Sequence, residues 1–112
     1  MTDFDKLVKN RLFLLTRGKD QLVEMCKQAV ITHDYKSLKS ILNVRSDLDL
    51  GDLDYQMPFN ITSSRCTVIQ LANREDSMAF EVQPFKHLIR MTSSQRILRF
   101  IRNYIRNQVV KD

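Results

Sequence analysis

Apolar residues recur at helical spacing over most of the first 45 positions. Residues 3–16, 19–32 and 35–43 each place their large apolar side chains within one arc when successive residues turn by about 100°. Asp34 precedes the third segment as an N-cap, and Gly18 follows the first as a C-terminal stop. The pattern predicts three short helices joined by tight turns. The predicted core face of the first contains Phe4, Leu7, Val8, Leu12, Leu14 and Leu15, with Phe13 alone opposite.

The middle of the chain has a different pattern. Asp47 to Asp54 alternates acidic residues with leucine, which is typical of a short extended segment with leucines inward or of an acidic surface loop. Cys66–Leu71 is rich in β-formers, Asn73–Ser77 is polar, and Ala79–Gln83 alternates apolar and polar residues. We expect a β-hairpin over 66–83, with a helix over 66–73 as the competing interpretation.

The C-terminal segment, residues 95–110, shows the strongest helical pattern. Its apolar side chains occupy an arc of about 180°, and its arginines occupy an opposing arc of about 120°. No acidic residue lies within the segment to pair with them. The apolar arc contains Ile97, Leu98, Phe100, Ile101, Tyr104, Ile105 and Val109; the basic arc contains Arg96, Arg99, Arg102 and Arg106, with Gln95 and Asn103 among them.

These segments together predict an α+β fold that is mainly helical. The expected order is three N-terminal helices, an acidic loop, a β-hairpin and a C-terminal amphipathic basic helix. A length of 112 residues corresponds to a single domain over 1–112. The order is similar to the outline of a winged-helix domain, but a likeness of fold alone implies no function.

Charge is unevenly distributed along the chain. Residues 1–45 contain nine basic and five acidic side chains, 46–81 contain two and seven, and 82–112 contain seven and one, for a net charge of +5. The acidic middle either packs beside the basic C-terminal part, within or between chains, or leaves that part to bind a polyanion.

Candidate catalytic and metal-binding groups are scarce. Cys26 and Cys66 form no Cys-x-x-Cys pair, and His33 and His87 have no partners at ligand spacing, so we expect no metal and no cofactor. The acids of 47–54 lack the spacing of a calcium-binding EF-hand loop. With two isolated glycines there is no phosphate-cradling loop, and we expect no enzymatic activity.

Two binding functions remain. The first is a small regulatory or adaptor protein acting through protein–protein contacts, with a homodimer expected. Its half-apolar C-terminal helix must be covered either by the core of its own domain or by a partner, and in the first case a partner can still use the arginine side or the acidic loop. The alternative is RNA or DNA binding through the arginine side of that helix, since guanidinium groups suit phosphate. A membrane surface ranks behind both because no lipidation signal is present. The expected partner-binding or nucleic-acid-binding residues are Lys86, Arg90, Arg96, Arg99, Arg102 and Arg106.

The start of the chain bears on its location. Residues 1–5 lack a basic region followed by the apolar run of a signal peptide. We therefore expect an intracellular protein, cytoplasmic or nuclear, that is not secreted.

Overall fold

A computed structural model describes residues 3–51, 65–82 and 93–110. Helices account for most of these residues, and no strand occurs among them. The expected α+β class is therefore wrong, and the described part of the chain is all-α. Its helices are α1 (Asp3–Lys9), α2 (Arg11–Thr16), α3 (Lys19–Ile31), α4 (Tyr35–Val44), α5 (Val68–Val82) and α6 (Ser93–Val110).

Helix α5 replaces the predicted β-hairpin, and a capping box at its start explains why. The Thr67 backbone N–H donates to Gln70 Oε1 at 3.0 Å, and the Gln70 N–H donates to Thr67 Oγ1 at 3.3 Å. This reciprocal pair starts a helix in a segment that is rich in β-formers. Val68, Leu71 and Ala72 then share one helical side and are at most 1% exposed. Because the hairpin is replaced by a helix, the described structure does not resemble the outline of a winged-helix domain.

The predicted helix over 3–16 is divided in two at Asn10. The Asn10 side chain accepts a hydrogen bond from the Phe13 N–H at 3.2 Å and so acts as the N-cap of α2. The new helix buries Leu14, and Phe13 packs partly against the core instead of lying opposite it. The predicted core face of this region is therefore wrong in part. Its exposed members are Leu7 (38%), Leu12 (70%) and Leu15 (50%).

The turn between α3 and α4 is a Schellman motif followed at once by an N-cap. The Asp34 N–H donates to the Ala29 carbonyl at 2.8 Å, and the His33 N–H donates to the Val30 carbonyl at 3.2 Å. His33 has a φ of 56°, the left-handed conformation that this motif requires. Asp34 then accepts from the Ser37 N–H at 3.1 Å, which confirms its predicted role as the cap of the next helix. Gly18, predicted as a C-terminal stop, directly follows Arg17, the C-cap of α2, and is also the N-cap of α3.

The segment after α4 is extended and turns its leucines inward, as one of the two interpretations predicted. Leu48 and Leu50 are both 0% exposed, and the Ile69 N–H donates to the Leu50 carbonyl at 3.0 Å. Gly51 has a φ of +111°, and a Cβ there would lie 2.6 Å from Thr67 Oγ1. Only glycine fits this close approach to the start of α5. The rest of the acidic segment, from residue 52 on, lies outside the described residues.

Four helices surround the main core. Helix α3 packs against α4 and α5, and α6 packs against the same two helices, so the four form a closed ring of neighbours. Helices α1 and α2 pack against α4. Leu22, Leu38, Ile69 and Ile101, one from each helix of the ring, are at most 1% exposed. This arrangement leaves the outer side of α6 facing solvent.

Candidate functional site

Helix α6 is one continuous amphipathic helix, as the sequence predicted. It runs from Ser93 to Val110, and its apolar residues Ile97, Leu98, Ile101 and Ile105 are between 0% and 6% exposed. They pack into the core shared with α4 and α5. These four residues of the apolar side of α6 are thus covered by the chain itself.

Three of the four α6 arginines line one groove. Arg96, Arg99, Arg102 and Arg106 are all exposed, on the side opposite the buried arc. A depression of about 510 Å³ lies along α6 and reaches Asp76 of α5; we call it the arginine groove. It is lined by Asp76, Gln95, Leu98, Arg99, Arg102, Asn103 and Arg106.

The fourth arginine points elsewhere. The Arg96 guanidinium lies 5.6 Å from the centre of the Tyr35 ring of α4, a cation–π contact outside the arginine groove. The structure therefore brings together three of the predicted site residues and separates the fourth. Lys86 and Arg90 lie outside the described residues.

The position of Arg102 in the arginine groove is partly set by α5. Its Nη2 atom donates to Asn73 Oδ1 at 3.2 Å. A guanidinium has five N–H donors, so this bond orients the group and leaves other donors available. Within the described residues, Arg96, Arg102 and Arg106 form no salt bridge.

The charge of the arginine groove is strongly asymmetric. Asp76 is its only acidic lining residue among those described, against three arginines. One interpretation of the sequence places the acidic middle beside the basic C-terminal part. Within the described residues that line this groove, Asp76 is the only carboxylate that lies beside the arginines. Arg102 and Arg106 are exposed and form no salt bridge within the described residues, and positive charge of this kind at a surface favours an anionic ligand.

A second depression, of about 300 Å³, lies between α4 and α6. No pattern in the sequence indicates this depression, because its walls come from segments about sixty residues apart. Asn103 lines both this depression and the arginine groove. We call it the amide pocket; it is lined by Leu42, Asn43, Ser46, Phe100, Asn103, Tyr104, Asn107 and Gln108.

Side chains of α6 hold one wall of the amide pocket in place. The Tyr104 hydroxyl accepts from the Leu48 N–H at 3.1 Å and lies 3.2 Å from the Arg45 carbonyl, to which it can donate. Gln108 Nε2 donates to the carbonyls of Ser46 and Leu48, both at 2.9 Å. Burial raises the pKa of Tyr104 to about 12, so this phenol stays protonated at neutral pH.

Arg45 holds the same segment from its other side. Its guanidinium binds the Asp47 carboxylate with two hydrogen bonds, at 2.9 and 3.0 Å, and donates to the Leu14 and Arg17 carbonyls at the end of α2. The hydrogen bond from Arg45 keeps the pKa of Asp47 below its usual value. The extended segment is therefore fixed between α2 and α6.

The two cysteines and the described histidine offer no reactive site. Cys26 is 0% exposed, and burial raises the pKa of its thiol to about 12, which disfavours the nucleophilic thiolate. Cys66 is 1% exposed. His33 Nε2 lies 3.2 Å from Glu75 Oε2 of α5, and this contact supports the turn described above. His87 lies outside the described residues.

The described ranges 3–51, 65–82 and 93–110 contain no group of three or more side chains suited to holding a metal ion. None of their helices has the length and apolar character needed to cross a membrane.

The chain matches no known protein family, and no curated protein or solved structure shows a significant similarity to it.

Proposed function

We propose that this is a non-catalytic nucleic-acid-binding protein that contacts phosphate groups through the arginine groove. The observation that supports it is the joint exposure of Arg99, Arg102 and Arg106 along one groove. Each guanidinium presents a planar fork of donors that matches the oxygens of a phosphate. This was the second of the two functions expected from the sequence.

The spacing of the three arginines suits a nucleic-acid strand. Arg99 and Arg106 are seven residues apart, which corresponds to about 10.5 Å along a helix at 1.5 Å per residue. Along the axis of duplex DNA, the phosphates of one strand follow one another at a rise of about 3.4 Å, so a length of about 10.5 Å corresponds to about three phosphates of one strand. Contact with three phosphates releases the counterions condensed on the nucleic acid, and this release favours binding. An isolated carboxylate on a protein has no condensed counterions to release.

The burial of the apolar side of α6 weakens one argument for the adaptor function and leaves the argument for nucleic-acid binding unchanged. An adaptor function was inferred partly from the need to cover that side, and Ile97, Ile101 and Ile105 are covered by the chain itself. The charge argument for a polyanion does not depend on that need. Nucleic acid is therefore the partner that the described surface of α6 favours.

Binding can be tested by fluorescence anisotropy with a labelled single-stranded oligothymidylate and a salt series. For about three phosphate contacts on a single strand, we expect the logarithm of affinity to fall with the logarithm of salt at a slope of about −2. Arg99→Glu with Arg106→Glu should abolish binding while the circular dichroism spectrum is unchanged.

The matched control is Lys36→Glu with Lys39→Glu, two exposed lysines of α4. Both double variants change the net charge by the same amount, so a general charge effect would weaken them equally. Only the arginine pair should lose binding. Equal losses, or no binding by the wild-type protein at low salt, would refute the proposed function.

The adaptor function remains a second proposal, supported by one observation. Leu12 and Leu15 lie three residues apart on α2 and are 70% and 50% exposed, and Leu7 of α1 is 38% exposed. Large exposed apolar groups close in sequence on one helix are typical of a contact surface. We propose that a second copy of the chain covers them.

Light scattering over a range of concentrations tests this dimer. The wild-type protein should show a mass above 13.2 kDa that decreases on dilution. Leu12→Ser with Leu15→Ser should be monomeric, whereas Ile31→Ser, at a 42% exposed position of α3, should behave as wild type. A wild-type protein that is monomeric at every concentration contradicts the dimer.

A further inference from the structure

We propose that the amide pocket receives a base of a single-stranded nucleic acid whose phosphates lie along the arginine groove. This inference rests on the proposed function and goes beyond it. It specifies a single strand as the ligand and assigns a second site to the bases. Four observations lead to it: available amide groups, an aromatic wall, a rigid frame and continuity with the arginine groove.

The amide groups are available. Asn43, Asn103 and Asn107 are exposed, and within the described part of the chain their side chains form no hydrogen bond with the protein. Each carboxamide offers two N–H donors and a carbonyl acceptor, the combination that pairs with the edge of a base. The neighbouring Gln108 amide differs, because it is used by the Ser46 and Leu48 carbonyls.

The aromatic wall is Phe100, which lines the amide pocket and is partly exposed. Its ring packs edge-to-face against Tyr35, with centroids 5.7 Å apart and an interplanar angle of 86°. Aromatic side chains of this kind stack on bases with little dependence on sequence. A base in the pocket thus has both a hydrophobic contact and polar groups.

The frame of the pocket is rigid. Tyr104 and Gln108 bind the backbone of residues 45–48, and Phe100 is held by Tyr35. Walls that are already ordered lose little conformational entropy when a ligand binds. The pocket is therefore suited to a ligand before that ligand arrives.

Continuity with the arginine groove comes from the helix itself. Arg99, Asn103 and Asn107 are each four residues apart, so they form a row that turns by about 40° per step around α6. Arg99 lies in the groove, Asn103 lines both depressions, and Asn107 lies in the amide pocket. A strand that contacts the arginines can therefore extend a base over Asn103 into the pocket. A duplex cannot, because its bases are paired and stacked.

Fluorescence anisotropy with three labelled probes tests the inference on the full-length protein. The probes are an oligothymidylate, an abasic oligonucleotide of equal length and a duplex. We expect the wild-type protein to bind the oligothymidylate about tenfold more tightly than the abasic strand, the effect of one stacked base. The bases of the duplex are paired, so its affinity should not depend on the residues of the amide pocket.

The decisive variant is Asn43→Ala with Asn107→Ala, two exposed residues outside the arginine groove. It should reduce the preference for the base-containing strand severalfold while leaving the affinity for the abasic strand and its salt slope unchanged. Gln21→Ala with Gln28→Ala removes two exposed amides of α3 and should have no effect.

The outcomes separate the two proposals. If the oligothymidylate and abasic strands bind equally and Arg99→Glu with Arg106→Glu removes both, the base site is refuted and the phosphate site stands. A duplex affinity that falls together with the oligothymidylate affinity in Asn43→Ala with Asn107→Ala also refutes the base site. If no probe binds at low salt, the proposed function fails and the base site fails with it.

Discussion

Removing the Tyr104 hydroxyl tests how α6 holds the extended segment that borders the amide pocket. In the change Tyr104→Phe, the ring keeps its packing and only the oxygen is lost. The Leu48 N–H, which donates to that oxygen at 3.1 Å, then has no acceptor. Leu48 is 0% exposed, so water does not readily replace the lost partner.

The expected cost follows from this unsatisfied donor. A buried polar group without a partner costs about 1–3 kcal/mol, and we expect about 2 kcal/mol here. At an unfolding entropy of about 2.1 cal/mol/K per residue, that loss lowers the melting temperature of a 112-residue chain by about 8 °C. Urea unfolding followed by far-ultraviolet circular dichroism measures the free energy directly.

The control is Tyr35→Phe, which removes a hydroxyl that forms no hydrogen bond with the described residues. This variant should change the free energy of unfolding by less than about 0.5 kcal/mol, as is usual for substitutions away from a buried network. If both tyrosine variants lose the same stability, the bond to Leu48 is not the cause and the reasoning is refuted.

Alkaline pH provides a second readout for Tyr104. Burial raises its pKa from 10.0 to about 12, so between these values the unfolded chain loses the phenol proton before the folded chain does. The free energy of unfolding of the wild-type protein therefore falls as the pH rises from 10 to about 12. Tyr104→Phe has no phenol at this position, so its free energy of unfolding does not change for this reason. The stability difference between the two proteins should therefore narrow from pH 10 to pH 12.

Three further substitutions test the fold by urea unfolding. Gly51→Ala should cost about 3 kcal/mol, because it combines a φ of +111° with a Cβ only 2.6 Å from Thr67 Oγ1, whereas Gly18→Ala, with nothing within 4 Å, should cost little. Thr67→Ala should lower the free energy of unfolding by about 1 kcal/mol through loss of the N-cap of α5, whereas Thr67→Ser keeps the capping hydroxyl and should keep most of that stability. His33→Ala should be about 1 kcal/mol less stable than His33→Gly, because both lose the contact with Glu75 but only glycine adopts the left-handed conformation without strain.

Each of these results has a clear opposite. Equal stability of the two glycine variants would contradict the close approach at Gly51. A Thr67→Ser protein as unstable as Thr67→Ala would mean that the capping box is not what starts α5. Equal stability of the two His33 variants would mean that its backbone conformation is not strained.

The wrong prediction for residues 66–83 has a local cause that was visible in the chain. Val68 and Ile69 favour strands by propensity, and that preference is the reason why the sequence predicts a hairpin. The sequence Thr67-Val68-Ile69-Gln70 is also a capping-box pattern, and apolar residues at 68, 71 and 72 continue it at helical spacing. Propensity is the weaker signal because tertiary burial overrides it.

The division of the first predicted helix at Asn10 shows a limit of periodicity. The apolar residues before and after Asn10 fit one arc if the helix is continuous. Once the Asn10 side chain caps α2, the second half begins with a new orientation, and Leu12 and Leu15 face solvent. A helical arc that is extended across the N-cap at Asn10 therefore places residues of α2 on the wrong side of the helix.

Helix α6 and the helices over 19–31 and 35–44 followed from local pattern alone, because helical periodicity depends on neighbours three and four residues apart. The exposure of the four arginines on one side of α6 followed for the same reason. The groove and the pocket did not, since their other walls are Asp76 of α5 and Asn43 of α4. Which helix lies beside α6, and therefore why Arg96 turns to Tyr35 while three arginines share a groove, depends on packing between segments distant in sequence.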